Sequence, residues 1–404
     1  MKQFLLFLIL SFAHFIHAQH GENSGKNEPE IPAMNNNGNV FNSTTNFNQS
    51  ISLDSTVYET KEIKLMESDK TVYKKSSVKS KSEDSNQNSL NQKKMEFSKT
   101  KFSSSTQRTQ RTPTTEQQNI MNQQVEEVLQ IAPNSFDYNL MYYSSGNYDV
   151  KRETELKKAA AMEPENSEVL KLSAANAIVK GDTIEAEKYL QILEEKQIIQ
   201  PETVDYTQDI IVSCTANSTI ITHGFNDSYG VYFNQLNLNA APNTTIVSLD
   251  FMQSSSYRTT LKNKGYQLPE RQTVDVSYLK SFCELNQDKN IALSMTIPKE
   301  YFEPIKNNIF VSGLIFEYKP SGSQSTSYEQ LDDLWYNKMN KRVVNNYISP
   351  LCNSYSKNYL PMLIFLQEHH KNDKDKSKYN QLTSDIDRIK KKAGLKNTSI
   401  KKSE

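Results

Sequence analysis

Short apolar runs alternate with stretches of helical periodicity between residues 218 and 318, and this alternation constrains the fold more than any other feature. Such an order of elements is typical of βαβ units. The runs are largely apolar, as expected of strands covered on both faces. We therefore predict a small parallel-sheet α/β domain over residues 208–322. Its apolar runs lie at residues 218–224, 244–250, 291–297 and 313–318, with helical patterns at 229–238, 257–264 and 276–285.

Helical periodicity also covers residues 116–207. Pro133-Asn-Ser and Pro164-Glu-Asn-Ser each open a unit, and the spacings from Pro133 to Pro164 to Pro201 are 31 and 37 residues. These spacings bracket the tetratricopeptide period of about 34 residues. Two degenerate units are fewer than the three or so that stand alone. The predicted fold is therefore of the α/β class: tetratricopeptide-like hairpins packed on the α/β domain, with C-terminal helices over residues 323–398.

The N-terminal residues have two different compositions. Residues 1–18 place Lys2 before an apolar core, which is typical of a secretory signal cleaved after Ala18, although a buried amphipathic helix is an alternative. Residues 19–115 are dominated by Asn, Ser, Thr, Gln and Lys, which predicts a long disordered N-terminal arm. Residues 399–404 are predicted to be a disordered tail. No later stretch reaches the roughly 18 apolar residues of a membrane helix, so no transmembrane segment is expected after signal cleavage.

Charge and cysteine content narrow the function classes. The 47 basic and 47 acidic residues balance, which argues against a nucleic-acid partner. The three cysteines are Cys214, Cys283 and Cys352. An odd number excludes a complete disulfide framework. The thiols are interpreted as buried small side chains, with one disulfide or a catalytic thiol as alternatives.

Polar residues follow the predicted strands. Ligands of parallel sheets bind beyond the carboxyl ends of the strands, so these residues define one candidate crevice. Asn226-Asp227-Ser228 also begins the next helix, where free N–H groups could hold an anion or be capped by these side chains. His223 could act as a general base or be structural. No catalytic residue is assigned; the candidate ligand-binding residues are His223, Gly224, Asn226, Asp227, Ser228, Asp250 and Arg258, with Thr296 at the same edge.

No metal or cofactor is predicted. His369-His370 has no further ligand at metal spacing, and residues 372–377 begin like a calcium loop but have no Gly at its sixth position. The chain has no Gly-x-Ser-x-Gly, Walker or GxGxxG motif.

The residues around the candidate crevice resemble a motif of one protein family. Thr222-His-Gly-Phe-Asn-Asp-Ser-Tyr, followed by Ile246-Val-Ser-Leu-Asp, resembles a strand-end motif of the Asn-Gly-Asp-Asn-Asp-Thr type in soluble regions of bacterial protein O-mannosyltransferase-like membrane proteins. The resemblance covers roughly residues 210–320. His223 and Phe225 depart from the motif, and the membrane portion that would transfer sugar has no counterpart. The resemblance thus implies a fold and a shared binding surface, not transferase activity. Together with the signal and the repeats, it is similar to envelope proteins of the Bacteroidetes type.

Two functions follow as hypotheses. The first is an exported, non-enzymatic protein in the periplasm or at the outer membrane. It would bind another envelope protein through its helical repeats, as an adaptor or accessory subunit. The alternative is a glycan-binding protein, or a hydrolase- or transferase-like enzyme, that uses the crevice around His223 and Asp227.

Overall fold

The computed structural model describes residues 81–320 and 327–395, and of residues 81–85 it describes the backbone alone. The predicted signal, residues 19–80 of the predicted arm and the tail 399–404 lie outside these ranges. The chain first forms a run of helices that leads to the sheet. They are α1 (Lys81–Ser105), α2 (Thr115–Ile131), α3 (Phe136–Ser145), α4 (Glu153–Met162), α5 (Ser167–Lys180), α6 (Thr183–Glu195) and α7 (Pro201–Ser213).

Helix α1 corrects the predicted extent of the disordered arm, which was expected to reach residue 115. Its side chains Leu90 and Phe97 are buried against Met121, Val125 and other residues of α2 and α3. Burial of two such side chains contributes about 3–6 kcal/mol. The helix was missed because its sequence is polar and carries no apolar stripe.

Helices α2 to α6 pack on one another in chain order, whereas α7 packs on the later helix Gly224–Leu236. Their starts have the expected caps: Thr114 and Gln117 form a capping box, and the side chains of Ser135 and Asn166 accept backbone N–H groups of α3 and α5. Gly181 ends α5 with a left-handed φ of 77°. This arrangement confirms the predicted helical hairpins, while their membership of the tetratricopeptide class stays a prediction.

The sheet is small and mixed. Its strands run in the order β2-β1-β3-β5-β4. β1 is parallel to β2 and to β3, whereas β5 is antiparallel to both β3 and β4. The strands are β1 (Thr219–Thr222), β2 (Thr245–Ser248), β3 (Ile291–Ser294), β4 (Ile309–Ser312) and β5 (Ile315–Tyr318).

The predicted parallel pairing is confirmed for β2-β1-β3, and an antiparallel hairpin of β4 and β5 completes the other edge of the sheet. Only Gly313 and Leu314 separate β4 from β5, and so short a connection permits an antiparallel hairpin alone. Gly313 has a φ of 64°, and a β-carbon there would collide with Ser213. The Oγ atom of Ser213 accepts a hydrogen bond from the N–H of Leu314 at 3.0 Å, which ties this turn to the end of α7.

Helices cover both faces of the sheet. Ile221, Val247 and Leu293 face a core that contains α5 and α6, whereas Ile220, Ile246 and Ala292 face one built from α7 and the C-terminal helices. This alternation is the strand period of two residues. The remaining helices are α8 (Gly224–Leu236), α9 (Ser255–Asn263), α10 (Val276–Leu285), α11 (Lys299–Phe302), α12 (Tyr328–Asp333), α13 (Arg342–Asn345), α14 (Pro350–Lys357), α15 (Leu360–Asn372) and α16 (Lys376–Lys392).

The packing of α5 fixes how the helical region meets the α/β domain. All residues from Val169 to Val179 are buried. The hydroxyl of Tyr229 in α8 donates to the carbonyl of Lys171 at 2.8 Å, and Leu170 and Ile178 belong to the same core as the sheet. The predicted packing of hairpins on the α/β domain is therefore confirmed, and the inner side of the hairpins is covered by the chain itself.

Two further features bear on the sequence predictions. Cys283 and Cys352 are buried, Cys214 is half-buried, and all three are free thiols. Burial raises the pKa of Cys214 to about 12 and that of Cys283 further still. Among the helices of residues 81–320 and 327–395, none combines the length and apolarity that crossing a bilayer requires.

Candidate functional site

The candidate crevice lies where the strand order reverses. From β1 the chain moves to β2 on one side and then to β3 on the other, so the carboxyl ends of β1 and β3 border the switch point. Asp227, in the first turn of α8, spans it. Its Oδ1 accepts the hydroxyl of Ser294 at 3.0 Å, and its Oδ2 accepts the hydroxyl of Thr296 at 2.7 Å and the N–H of His223 at 2.9 Å.

Asp227 therefore binds the chain itself rather than facing solvent. Asp227 is 4% exposed. Burial raises the pKa of its carboxyl group to about 6, although its three hydrogen bonds act to lower that pKa. The carboxyl group of Asp227 thus joins β1, β3 and α8. Both of its oxygens already have hydrogen-bond partners within the chain.

Asp250, which follows β2, has a different electrostatic setting. Burial acts to raise its pKa, but the Arg111 guanidinium and the N–H of Gly224 outweigh burial, and the pKa is lowered overall. Nε and Nη2 of Arg111 lie 2.8 and 2.6 Å from Oδ1, and the N–H of Gly224 donates to Oδ2 at 2.6 Å. Arg111 and Asp250 thus form a buried ion pair at the carboxyl edge.

His223 lies between these two carboxylates at the N-terminus of α8. It is 6% exposed, and burial together with the Arg111 charge lowers its pKa to about 3. Its Nε2 has no hydrogen-bond partner. An imidazole with so low a pKa is a weak base and is poorly suited to act as a general base near neutral pH.

The start of α8 is unsuited to an anion. The N–H groups of His223 and Gly224 are already bound to Asp227 and Asp250. Two carboxylates at this position repel a further negative charge. Ser228, just inside the helix, is also satisfied: its hydroxyl bonds those of Thr222 and Ser248, each at 3.0 Å. Of the two residues expected to cap this helix, Asp227 accepts the N–H of His223, whereas Ser228 bonds only hydroxyl groups; Asn226 is half-buried beside them.

Arg258 is not brought to the crevice floor. Its guanidinium stacks over Tyr278 and donates to the carbonyl of Met252 at 2.6 Å and to Gln272, at 2.6 Å to Oε1 and 2.5 Å to the carbonyl. Arg258 thus fastens the loop of residues 268–275 to α9 and to the segment after β2. Of the predicted residues, the structure gathers His223, Gly224, Asp227, Ser228, Asp250 and Thr296, while Arg258 acts on the loop beside them.

Sequence reasoning missed Arg111, the residue that completes the site. It lies in Thr106-Gln-Arg-Thr-Gln-Arg-Thr-Pro, within the segment predicted to be disordered. Its only sequence signal is the tandem Thr-Gln-Arg repeat, which gives no indication of Asp250, 139 residues later.

Among residues 81–320 and 327–395, no group of three metal-ligating side chains is close enough to hold an ion. His370 lies in an ion-pair group, with its Nε2 3.0 Å from Oδ1 of Asp332, and Lys378 contacts the same carboxylate. Comparison with protein-family models, curated proteins and solved structures gave no match. The resemblance to the O-mannosyltransferase-like proteins accordingly stays a prediction.

Proposed function

We propose that this chain is an exported, non-enzymatic protein of the bacterial cell envelope that binds another envelope protein. The observation that carries the proposal is the filled crevice. The oxygens of Asp227 and Asp250 are bonded to backbone and side chains of the same chain, and Arg111 closes the edge. An enzyme of this architecture would be expected to hold such groups ready for a substrate.

The docking surface is proposed to be the outer side of the helical hairpins, because the α/β domain packs on the inner side, where α5 lies. The exposed large apolar side chains of the helical region include Met162 at the end of α4 and Ile184 in the first turn of α6, the latter 82% exposed. Exposed apolar side chains that bury against a partner are typical anchors of protein interfaces.

Affinity purification from cross-linked native envelopes, read by mass spectrometry, tests this proposal. The tagged chain is expected to recover a stoichiometric partner, and the Ile184→Glu variant is expected to lose it. Ile348→Glu is the matched control. Ile348 is 98% exposed and lies between α13 and α14, and its neighbours Tyr347 and Ser349 hydrogen-bond α7 rather than α4 or α6. Recovery of the tagged chain alone, or equal recovery by both variants, would contradict the proposal.

The alternative function, a glycan-binding protein or an enzyme at the crevice, is supported by one observation, the buried Nε2 of His223 without a partner. His223→Ala and Asp227→Ala separate the two. Loss of a measured activity or glycan affinity in a variant that keeps its circular dichroism spectrum would favour the alternative. Effects on stability alone would favour the binding protein.

A further inference from the structure

Residues 106–113 form a strap across the α/β domain. The strap runs antiparallel to the end of the loop of residues 268–275: the backbone N–H of Arg111 donates to the carbonyl of Val274 at 2.7 Å, and the N–H of Val276 donates to the carbonyl of Thr109 at 3.1 Å. The N–H of Val274 donates to Oγ1 of Thr112 at 2.9 Å. The strap is thus held as an added strand is held at a sheet edge, through its backbone.

The side chains of the strap add two arginine anchors. Arg108 pairs with Glu300 at 2.8 Å near the surface, and Arg111 pairs with Asp250 inside the crevice. Their spacing of three residues sends them to opposite sides of an extended chain. Arg111 is the buried anchor, 6% exposed, and the Asp250 carboxylate that receives it is also fixed by Gly224.

The helix that precedes the strap is held mainly by polar contacts, among them the hydrogen bonds of Lys101 to the carbonyl of Ser144 and to Asn147. Within residues 86–105, Leu90 and Phe97 are the buried apolar side chains of α1. Its other links to α2 and α3 include two ion pairs, Lys93–Glu127 at 2.7 Å and Lys94–Asp137 at 2.8 Å, which are partly exposed to solvent. Segments with few buried apolar contacts open before the rest of a protein unfolds. Opening of α1 would release the strap from its N-terminal side.

We propose that the strap is an intramolecular pseudo-ligand, and that the groove beside Val274 with Asp250 at its floor accepts an extended, arginine-containing segment of a partner polypeptide when α1 and the strap open. Arg111 occupies the position that the partner's guanidinium takes. This inference rests on the proposed function, which has the protein bind another polypeptide. The groove would be a second binding surface, separate from the outer side of the hairpins.

A competition experiment on the wild-type full chain tests the inference. The probe is a synthetic, acetylated and amidated peptide with the sequence of residues 106–113, added at millimolar concentration because the tethered strap competes at a comparable effective concentration. Amide hydrogen exchange in α1 is expected to accelerate several-fold as the peptide saturates, since the peptide prevents the strap from closing again. The same peptide carrying the R111A change is expected to leave the exchange unaltered.

A binding measurement provides the second arm. The full-chain Arg111→Ala variant should bind the fluorescently labelled peptide at least tenfold more tightly than wild type, whereas Arg108→Ala should resemble wild type. If Arg111→Ala does not fold, the exchange result on wild type decides. Unaltered exchange at every peptide concentration, or equal effects of both peptides, would overturn the inference. An envelope partner that Ile184→Glu loses would still support the proposed function in that case, so the two failures are distinguishable.

Discussion

The guanidinium of Arg111 lies 2.6 Å from Oδ1 of Asp250, and the pair joins the segment before α2 to the end of β2. The side chains of both residues are largely withdrawn from water, 6% and 12% exposed. Two charges held in this way depend on each other, because a buried charge that loses its partner is far more costly than one at the surface. The ion pair therefore links the order of the N-terminal segment to the carboxyl edge of the sheet.

We expect Asp250→Ala to lower the free energy of unfolding by about 3 kcal/mol, because Arg111 and the N–H of Gly224 both lose their acceptor. Urea unfolding followed by circular dichroism measures the change. Glu300→Ala is the control: it removes the partner of Arg108 in a more exposed pair and should cost less than about 1 kcal/mol. Equal losses of unfolding free energy in the two variants would show that the buried Asp250 pair stabilises the fold no more than the exposed Glu300 pair does.

The pH dependence of stability should show the buried carboxyl of Asp227. Its pKa rises to about 6 in the folded protein from an ordinary value of 3.8, so between these values the folded state holds a proton that the unfolded state releases. Stability from this group is therefore greatest below about pH 4 and falls as the pH rises to about 6, by on the order of 2–3 kcal/mol. Asp209, whose pKa is also raised to about 6 by burial, acts in the same direction.

Urea unfolding of wild type and Asp227→Asn from pH 4 to pH 8 measures the Asp227 contribution. The stability of the variant should fall less across this range than that of wild type, because Asn does not ionise. Asp387→Asn, at an exposed position of α16, is the control for the loss of one carboxylate. A variant slope identical to that of wild type would show that Asp227 does not retain its proton.

His223 should stay neutral over the whole physiological range. Burial and the Arg111 charge lower its pKa to about 3, so its Cε1–H resonance, assigned by comparison with His223→Leu, should not move between pH 8 and pH 4.5. His223→Leu should also change the free energy of unfolding by less than about 1 kcal/mol, since it removes a buried Nε2 that has no partner. A titration midpoint near 6.5 would instead indicate an accessible imidazole and favour the enzymatic alternative.

The local parts of the fold could be predicted from the sequence. The periodicity at residues 276–285 predicted α10 with the bounds that the structure has, and the apolar runs located β1, β2 and β3. His223, Asp227 and Asp250 were placed correctly at one edge, because the carboxyl ends of parallel strands meet there. These features depend on the spacing of apolar and polar residues over short stretches, and that spacing can be read from a single sequence.

Features that depend on distant partners could not be predicted. The polar sequence of α1 and the strap indicated disorder, and their order comes from contacts such as Lys101 with Asn147 and Arg111 with Asp250. Arg258 was assigned to the crevice by its position after β2, but the direction of its side chain depends on Gln272, in the loop after α9. The antiparallel edge of the sheet depended on β4, whose four residues carry too short a pattern to identify a strand.

Gly230 should tolerate no side chain, because α8 crosses α7 closely there. A β-carbon at Gly230 would lie 2.8 Å from both Cγ2 and Oγ1 of Thr207, and Thr207 is itself fixed by a hydrogen bond from Asn234 at 2.9 Å. Gly230→Ala is therefore expected to lower the free energy of unfolding by about 1–3 kcal/mol despite the better helix propensity of alanine. Adding Thr207→Ser removes one colliding methyl group, keeps the hydroxyl, and should recover part of the loss. A Gly230→Ala variant as stable as wild type in urea would mean that the two helices separate at little cost, and that this crossing does not fix the position of α8 beneath the crevice.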